Sequence, residues 1–160
     1  MANALEVNAN ELIKRVAHQL KEHKFVHPPV WAGIVKTGRH VERPPMETDW
    51  WYTRSAAILR SVYKLGPIGT SKLRTKYGGR KNRGYRPEHF FRGGGSIIRK
   101  SLQQLEASGL ISKVQVAKHN GRKLTPKGKS FIDKIASLIA REHFPVHKKA
   151  AKAAVVAAEE

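Results

Sequence analysis

The sequence predicts a mainly α-helical protein with a winged helix-turn-helix fold, an N-terminal helical extension and a short β-hairpin wing. Apolar residues recur at helical spacing in several separate segments. Apolar and polar residues alternate from Ile111 to Ala117, and Asn120-Gly121, a dipeptide typical of two-residue hairpin turns, follows them. The predicted order of helix, short helix, longer helix, hairpin and helix is that of a winged helix.

The N-terminal extension opens with a predicted amphipathic helix over residues 9–23, in which Leu12, Val16 and Leu20 share one face. Pro28-Pro29 interrupts the chain after this helix. A short apolar segment and a polar, proline-containing loop then lead to the predicted winged helix.

The winged helix begins with a helix after Asp49, a natural N-cap residue, and this helix is predicted to run to about Leu65. Thr70 or Ser71 is predicted to cap a short second helix that ends at Tyr77. These two helices form the first half of the helix-turn-helix.

The second half starts with residues 78–87, which are predicted to be a basic loop, and Ser96 is predicted to cap a longer helix that stops at Gly109. The wing is predicted at about residues 111–124, and Thr125-Pro126 starts a last helix. That helix carries the apolar stripe Phe131, Ile135, Leu138 and Ile139. We expect a single domain over residues 1–140 and a basic, Ala- and Lys-rich tail over residues 141–160.

The charge of the chain indicates a polyanionic partner. Its 160 residues include 31 Lys and Arg against 12 Asp and Glu, which gives a net charge of +19 and a pI near 10.6. A body of this size repels itself at that charge unless a polyanion neutralises it. No cysteine is present, so disulfides and thiolate metal sites are excluded. No run reaches the roughly 18 apolar residues that a membrane span needs, and we expect no membrane partner.

The basic side chains are concentrated between Lys72 and Lys100, where ten Lys and Arg are opposed only by Glu88. Most are Arg, which binds phosphates and bases through bidentate and stacked contacts. Tyr85 and His89 lie among them as candidates for stacking on unpaired bases. The candidate RNA-binding residues are Arg54, Arg60, Lys64, Lys72, Lys76, Arg80, Lys81, Arg83, Tyr85, Arg86, His89, Arg92, Arg99, Lys100, Arg122 and Lys123.

Catalytic and metal sites are not indicated. Gly128-Lys129-Ser130 resembles the end of a P-loop, but Lys123 stands where that motif needs a glycine. His143 and His147 have i, i+4 spacing without further ligands to complete a metal site. No arrangement of carboxylates or nucleophiles supports an enzyme. We therefore predict no catalytic residue, no metal, no cofactor and no small-molecule substrate.

Five segments of the chain match a known family. They are Asp49–Ala56, Tyr77–Gly84, Pro87–Phe90, Leu102–Glu106 and Gly121–Thr125. Over about residues 9–140 the chain resembles small-subunit ribosomal protein nineteen of the eukaryotic and archaeal type, in an archaeal version. The resemblance implies a cytoplasmic ribosomal protein in the head of the small subunit, monomeric within the ribosome. It implies contacts with ribosomal RNA and neighbouring small-subunit proteins, and a role in RNA maturation and subunit assembly.

The resemblance also assigns basic residues to two elements of the family. Its basic helix falls on Arg54, Arg60 and Lys64, and its basic loop falls on Arg80, Lys81 and Arg83. The alternative is a DNA-binding transcription regulator, because most winged helices bind DNA. Such regulators usually dimerise through long helices, and this chain offers no obvious dimerisation helix.

Overall fold

The computed structural model describes residues 3–116 and 119–143. The end of the wing hairpin at residues 117 and 118 and the tail beyond residue 143 lie outside the described residues. The elements in chain order are α1 (Ala9–Glu22), a 3-10 helix (Val30–Gly33), α2 (Trp50–Leu65), α3 (Thr70–Lys76), β1 (Gly79–Arg83), β2 (Arg86–Phe91), α4 (Gly95–Ala107), β3 (Ile111–Val116), β4 (His119–Leu124) and α5 (Pro126–His143).

The N-terminal helix α1 is capped by Asn8, whose side-chain oxygen accepts a hydrogen bond of 3.0 Å from the Asn10 N–H. Its apolar face buries Leu12, Val16 and Leu20, as their spacing predicts. This face packs against α2 and α5. The extension is therefore part of the same hydrophobic core as the winged helix, since buried residues from Ala4 to Ile139 form one cluster.

The first winged-helix element, α2, supplies the centre of the core. Trp51, Ile58 and Leu59 are fully buried. The Trp51 ring meets the rings of Trp31 and Trp50 edge-on, with centroids 5.6 and 5.4 Å apart. Such edge-to-face pairs stabilise a core beyond the area they bury. The indoles thus fix the N-terminal extension to α2.

The helices α4 and α5 complete the core. Leu102 and Leu105 of α4 are fully buried, and so are Ile132 and Ile139 of α5. The sequence predicts Leu138 on the apolar stripe of α5, but its side chain is 54% exposed. It lies three residues after Ile135, and at 100° per residue this places it at the edge of the buried face.

Of the three predicted helix caps, one is confirmed and two are wrong. Asp49 is the N-cap residue of α2, as predicted, although its carboxylate binds Lys21 Nζ at 2.8 and 3.0 Å instead of a backbone N–H of the helix. The N-caps of α3 and α4 are Gly69 and Gly94. Both helices start before the predicted cap residues, because tertiary hydrogen bonds fix the chain that precedes them. Ile68, before α3, bonds to Arg122 of the wing, and the Gly94 N–H, before α4, donates to the Thr37 carbonyl.

The predicted basic loop over residues 78–87 is also wrong. Most of this segment belongs to an antiparallel hairpin of β1 and β2, with the two-residue turn Gly84-Tyr85. The register shifts by one residue between Lys81 and Arg83, where Asn82 of β1 lies opposite both Pro87 and Glu88 of β2. The segment lacks the alternation of apolar and polar residues that signals a strand, because the hairpin buries almost none of its side chains.

The wing consists of β3 and β4, and its predicted turn at Asn120-Gly121 is wrong. Asn120 pairs with Gln115, and Gly121 pairs with Val114, so both residues lie within β4. A second pairing joins the wing to the chain after α2. Ile68 exchanges backbone hydrogen bonds of 3.1 and 3.0 Å with Arg122 in an isolated β-bridge.

The predicted fold class is confirmed. The helices α2, α3 and α4 form the helix-turn-helix, β3 and β4 form the wing, and α5 closes the core behind them. The β1–β2 hairpin is an insertion between α3 and α4, the two helices that a winged helix normally joins by a turn.

Candidate nucleic-acid interface

The first basic surface lies where α2 meets the end of α3. We call it the α2–α3 cluster, and it consists of Arg54, Arg60, Ser61, Lys64, Lys76 and Tyr77. The spacing of α2 predicts its three cations on one arc, and the fold of α3 adds Lys76 to them. The ion pairs of the described residues lie elsewhere, on α1, α5 and the wing. The cluster is therefore a concentration of positive charge without protein counter-ions in the described chain.

Ser61 organises the cluster although its side chain is buried. Its hydroxyl donates to the Ala57 carbonyl at 2.8 Å. The oxygen then accepts from Lys76 Nζ at 2.7 Å, and its contact of 3.0 Å with the Tyr77 hydroxyl leaves Tyr77 as the donor. These bonds hold Lys76 and Tyr77 in fixed positions on the surface of α2.

Burial and repulsion perturb the charges of the cluster. The pKa of Lys76 lies below its ordinary value of 10.5, because the ammonium is partly desolvated and because Arg60 and Lys64 repel it. Burial likewise lowers the pKa of Arg54, although Tyr77 opposes this effect, and it raises the pKa of Tyr77. The folded chain holds these cations against an electrostatic cost, which a bound anion would remove.

Arg54 is held by an aromatic ring rather than by an acid. Its guanidinium carbon lies 4.6 Å from the centroid of Tyr77. The pair lines an open cleft of about 460 Å³, together with Lys14, Thr37 and Trp50. A stacked guanidinium keeps its in-plane N–H groups available for a further acceptor.

The second basic surface is the β1–β2 hairpin. Every residue from Asn82 to Phe90 is exposed, and both strands carry basic side chains. The predicted residues Arg80, Lys81 and Arg83 lie on β1, and Arg86 and His89 lie on β2. Tyr85 is at the turn. The ring of His89 meets that of Phe91 edge-on at 5.2 Å.

The base of the hairpin is fixed to the body of the protein. The Gly93 N–H donates to the Arg74 carbonyl at 2.9 Å, and Arg74 Nε donates to the Gly93 carbonyl at 3.2 Å. Gly93 also pairs with Gly38 in an isolated β-bridge. A Cβ atom at Gly93 would lie 2.7 Å from the Tyr77 carbonyl oxygen, so only glycine permits this approach. The exposed hairpin is thus held between α3 and the segment that precedes α2.

The remaining predicted residues of this region are dispersed. Lys72 is exposed on α3 and Arg92 follows β2, while Arg99 and Lys100 are exposed on α4. Arg99 and Lys100 line a cleft of about 430 Å³ with Trp31 and the N-terminal glycines of α4. These four residues are close to the two basic surfaces in the sequence. Among the described residues, no side-chain hydrogen bond or ion pair joins them to either surface.

The wing residues differ from one another. Lys123 is exposed, whereas the side chain of Arg122 is only 17% exposed and its Nε lies 3.5 Å from Glu106 Oε2 without a hydrogen bond. Lys113, which pairs with Arg122 across the wing, binds the other oxygen of Glu106 at 3.0 Å. Arg122 therefore has a structural partner, the carboxylate that ties the wing to α4.

Sequence reasoning missed Arg39 as a candidate. Its guanidinium carbon lies 4.7 Å from the centroid of Phe91, beside the base of the hairpin. Its position in a polar loop far from the hairpin in sequence gave no signal of this contact. The pairing of Gly38 with Gly93, which brings the two segments together, involves only backbone atoms.

Two other kinds of site are absent from residues 3–116 and 119–143. None of the helices there is long and apolar enough to cross a membrane. That part of the chain also contains no cluster of three or more His, Asp and Glu side chains placed to hold a metal ion.

The fold and these surfaces define a class, a small winged-helix protein with a basic hairpin inserted between α3 and α4. The sequence pattern of the family described as ribosomal protein S19e matches residues 3–142. The chain belongs to the ribosomal protein S19e family. This membership confirms the predicted ribosomal, non-enzymatic protein.

Similar proteins come from several branches of life. The chain is 54% identical to small ribosomal subunit protein eS19 of Aeropyrum pernix over 144 residues, covering 89% of this chain and 92% of the relative. It is 41% identical to eS19G of Ascaris suum over 82% of this chain and 88% of the relative. It is also 41% identical to eS19 of Entamoeba histolytica, over 89% of both chains. The similarity to the Aeropyrum protein fits the predicted archaeal type.

Proposed function

We propose that this protein is a structural component of the small subunit of cytoplasmic ribosomes and binds ribosomal RNA through the α2–α3 cluster and the β1–β2 hairpin. The observation that carries the proposal is the concentration of cations on these two surfaces, where the salt bridges of the described residues include none of these cations. A folded polyphosphate chain supplies the missing counter-ions, and each contact releases condensed counter-ions from the RNA.

The geometry of the cluster suits a phosphate. Lys76 is already fixed by Ser61, and Arg54 is fixed over Tyr77, so little side-chain entropy is lost when an anion binds. A phosphate between them would relieve the repulsion that Lys76 feels from Arg60 and Lys64. Charge-assisted hydrogen bonds of this kind are stronger than those between neutral groups.

The course of the N-terminal segment argues against the DNA-binding alternative, which the similar proteins also leave without support. Gln104 of α4 accepts from Trp51 Nε1 at 3.0 Å and donates to the His27 carbonyl at 2.7 Å. At the start of α4 the Gly94 N–H donates to the Thr37 carbonyl. Residues 27–38 thus run along one side of α4, which leaves less room for this helix in a major groove.

The place of the protein in the small subunit, its protein neighbours and its role in RNA maturation are also part of the proposal. The protein would act as a monomer within the subunit head, beside neighbouring small-subunit proteins, and support maturation of the small-subunit RNA. Residues 1–140 would act as one domain and residues 141–160 as a basic tail, although α5 extends through Arg141 to His143. Arg122 is the least suited of the proposed RNA-binding residues, because Glu106 already neutralises it.

A salt titration of binding to structured small-subunit RNA tests this function. We expect Lys64→Glu and Arg80→Glu each to weaken binding and to reduce the slope of log affinity against log salt by about 0.7–0.9, the value of one phosphate contact. Lys134→Glu is the matched control, because Lys134 is exposed on α5, outside both surfaces. Equal effects of the three variants would mean that only net charge matters, and the assigned surfaces would be wrong.

A further inference from the structure

The turn of the β1–β2 hairpin exposes an aromatic ring completely. The side chain of Tyr85 is fully exposed, and its neighbours on both strands are exposed too. A tyrosine ring in water contributes no burial to folding, so the core does not account for it. The ring instead lies at the tip of the hairpin, away from the hairpin base that is attached to the body of the protein.

The conformation of this turn is fixed by local hydrogen bonds. Gly84 has a φ of +70°, and its N–H donates to Asn82 Oδ1 at 2.9 Å. Arg83 donates through Nε and Nη2 to the Pro87 carbonyl, at 2.9 and 2.7 Å. The backbone around Tyr85 is therefore held in place before any ligand arrives.

Two arginines flank the ring. Arg83 and Arg86 form the last residue pair of the hairpin before the turn, so their side chains leave the backbone at the same position along it. The bonds to Pro87 use one edge of the Arg83 guanidinium and leave its other N–H groups directed elsewhere. The turn thus combines one exposed ring with two adjacent cations.

We propose that this turn recognises an unpaired RNA nucleotide, with Tyr85 stacked on the base and Arg83 and Arg86 bound to the adjoining phosphates. The inference rests on the proposed RNA-binding function and names the RNA feature that the hairpin recognises. A paired stem keeps its bases stacked inside the helix, and the deep, narrow major groove of A-form RNA does not admit side chains. A bulged or looped base has a free face on which an aromatic ring can stack.

Charge complementarity favours RNA over a protein neighbour as the occupant. Arg80, Lys81, Arg83 and Arg86 all belong to the hairpin, and Glu88 is its one acidic residue. A protein partner would need several acidic groups around a hydrophobic pocket for the ring. A nucleotide provides an aromatic face and negative charge within a few ångströms of each other.

Binding of the full chain to two RNA stems tests the inference. One stem carries a single unpaired adenosine, and the other has the same sequence fully paired. We expect Tyr85→Ala to weaken binding to the bulged stem about 5- to 150-fold, the range for one lost base–aromatic stack, and to change binding to the paired stem little. Tyr85→Trp should retain the preference, whereas Tyr85→Leu, which is apolar but cannot stack, should lose it.

The controls separate this inference from the proposed function. All three variants keep the net charge, so the salt dependence of their binding should equal that of the unsubstituted protein. No loss with Tyr85→Ala, or an equal loss on both stems, would overturn base stacking while leaving phosphate binding intact. Binding of neither stem by the unsubstituted protein at low salt would instead contradict the proposed function and this inference together.

Discussion

At the scale of single residues, the protein concentrates cations where the described residues form no ion pair with them. Lys76 donates to a buried serine and is repelled by two neighbouring cations. Arg54 is partly buried against the ring of Tyr77. In a free protein, water and counter-ions only partly offset these costs. The same residues become favourable once a phosphate is present, which is the physical reason to assign them to binding.

The perturbed ammonium of Lys76 predicts a pH dependence of RNA binding. Its pKa in the free fold lies below that of an ordinary lysine, so the charged form destabilises the fold at neutral pH, and this destabilisation disappears as the pH rises through the lowered pKa. A bound phosphate raises the pKa again, so binding takes up a proton in that range. We expect affinity for RNA to fall about tenfold or more as Lys76 loses its proton, since a charge-assisted hydrogen bond contributes roughly 1.5–3 kcal/mol.

The Lys76→Arg variant supplies the comparison. Arginine keeps its charge throughout the alkaline range, so the variant should lose the part of the pH dependence that belongs to this position. The measurement is the dissociation constant for one RNA against pH at constant salt, for both proteins. Superimposable pH profiles would show that Lys76 does not contact phosphate.

At the scale of elements, the sequence predicts the helices that bury an apolar face. It misses the β1–β2 hairpin, which is formed by backbone pairing. The helices α1, α2, α4 and α5 follow from apolar residues at helical spacing, because their buried faces carry that pattern. The β1–β2 hairpin has no buried face, so it left no apolar alternation from which it could be predicted. Its basic composition predicts a binding surface, which stays a hypothesis, but it gave no indication of the two strands.

Gly121 shows why a strong local signal can fail. An Asn-Gly turn requires positive φ at its central residues, and neither Asn120 nor Gly121 has it. The backbone of Pro67 and Ile68 lies beside Gly121 instead, and Ile68 pairs with the next residue, Arg122. A pairing over such a sequence distance is not visible in a local pattern.

The base of the hairpin gives an element-scale prediction. Gly93→Ala would place a Cβ atom 2.7 Å from the Tyr77 carbonyl oxygen, and neither backbone can yield without breaking the bond from the Gly93 N–H to the Arg74 carbonyl. We expect a loss of about 1–3 kcal/mol in the free energy of unfolding, as for other overpacked sites, together with weaker RNA binding through a displaced hairpin. Chemical denaturation and the RNA titration measure the two effects.

Gly33→Ala is the matched control, because a Cβ atom there meets nothing within 4 Å and φ at that residue is not positive. Its unfolding free energy should stay within about 0.5 kcal/mol of the unsubstituted protein. If Gly93→Ala proved equally neutral, the hairpin base would be less rigid than its contacts indicate.

At the scale of the whole molecule, one hydrophobic cluster from Ala4 to Ile139 supports a surface with a net charge of +19 over the chain. The extension, the helix-turn-helix and α5 share this cluster, and the Gly93–Arg74 hydrogen bonds attach the base of the hairpin to α3. Fixed placement of the two basic surfaces would favour binding, because a folded RNA presents its phosphates at fixed positions. On the proposed function, the core would therefore support RNA binding without touching the RNA.

Core substitutions should act on stability first. Leu105→Ala removes a fully buried side chain of α4 and should lower the free energy of unfolding by about 2–5 kcal/mol, through lost burial and the cavity that remains. Leu138→Ala is the same change at a half-exposed position of α5 and should cost far less. Denaturant unfolding at low salt compares them. Equal losses would contradict the assignment of Leu105 to the core.

Sedimentation of the protein in cell extract tests most directly whether ribosomal RNA is the polyanion that its charge requires. Extract from cells that express a tagged chain would be centrifuged through a sucrose gradient at low salt, and the fractions probed for the tag and for small-subunit RNA. We expect the protein to migrate with the small subunit and with whole ribosomes. Migration as a free protein at the top of the gradient, with the subunits intact, would contradict it.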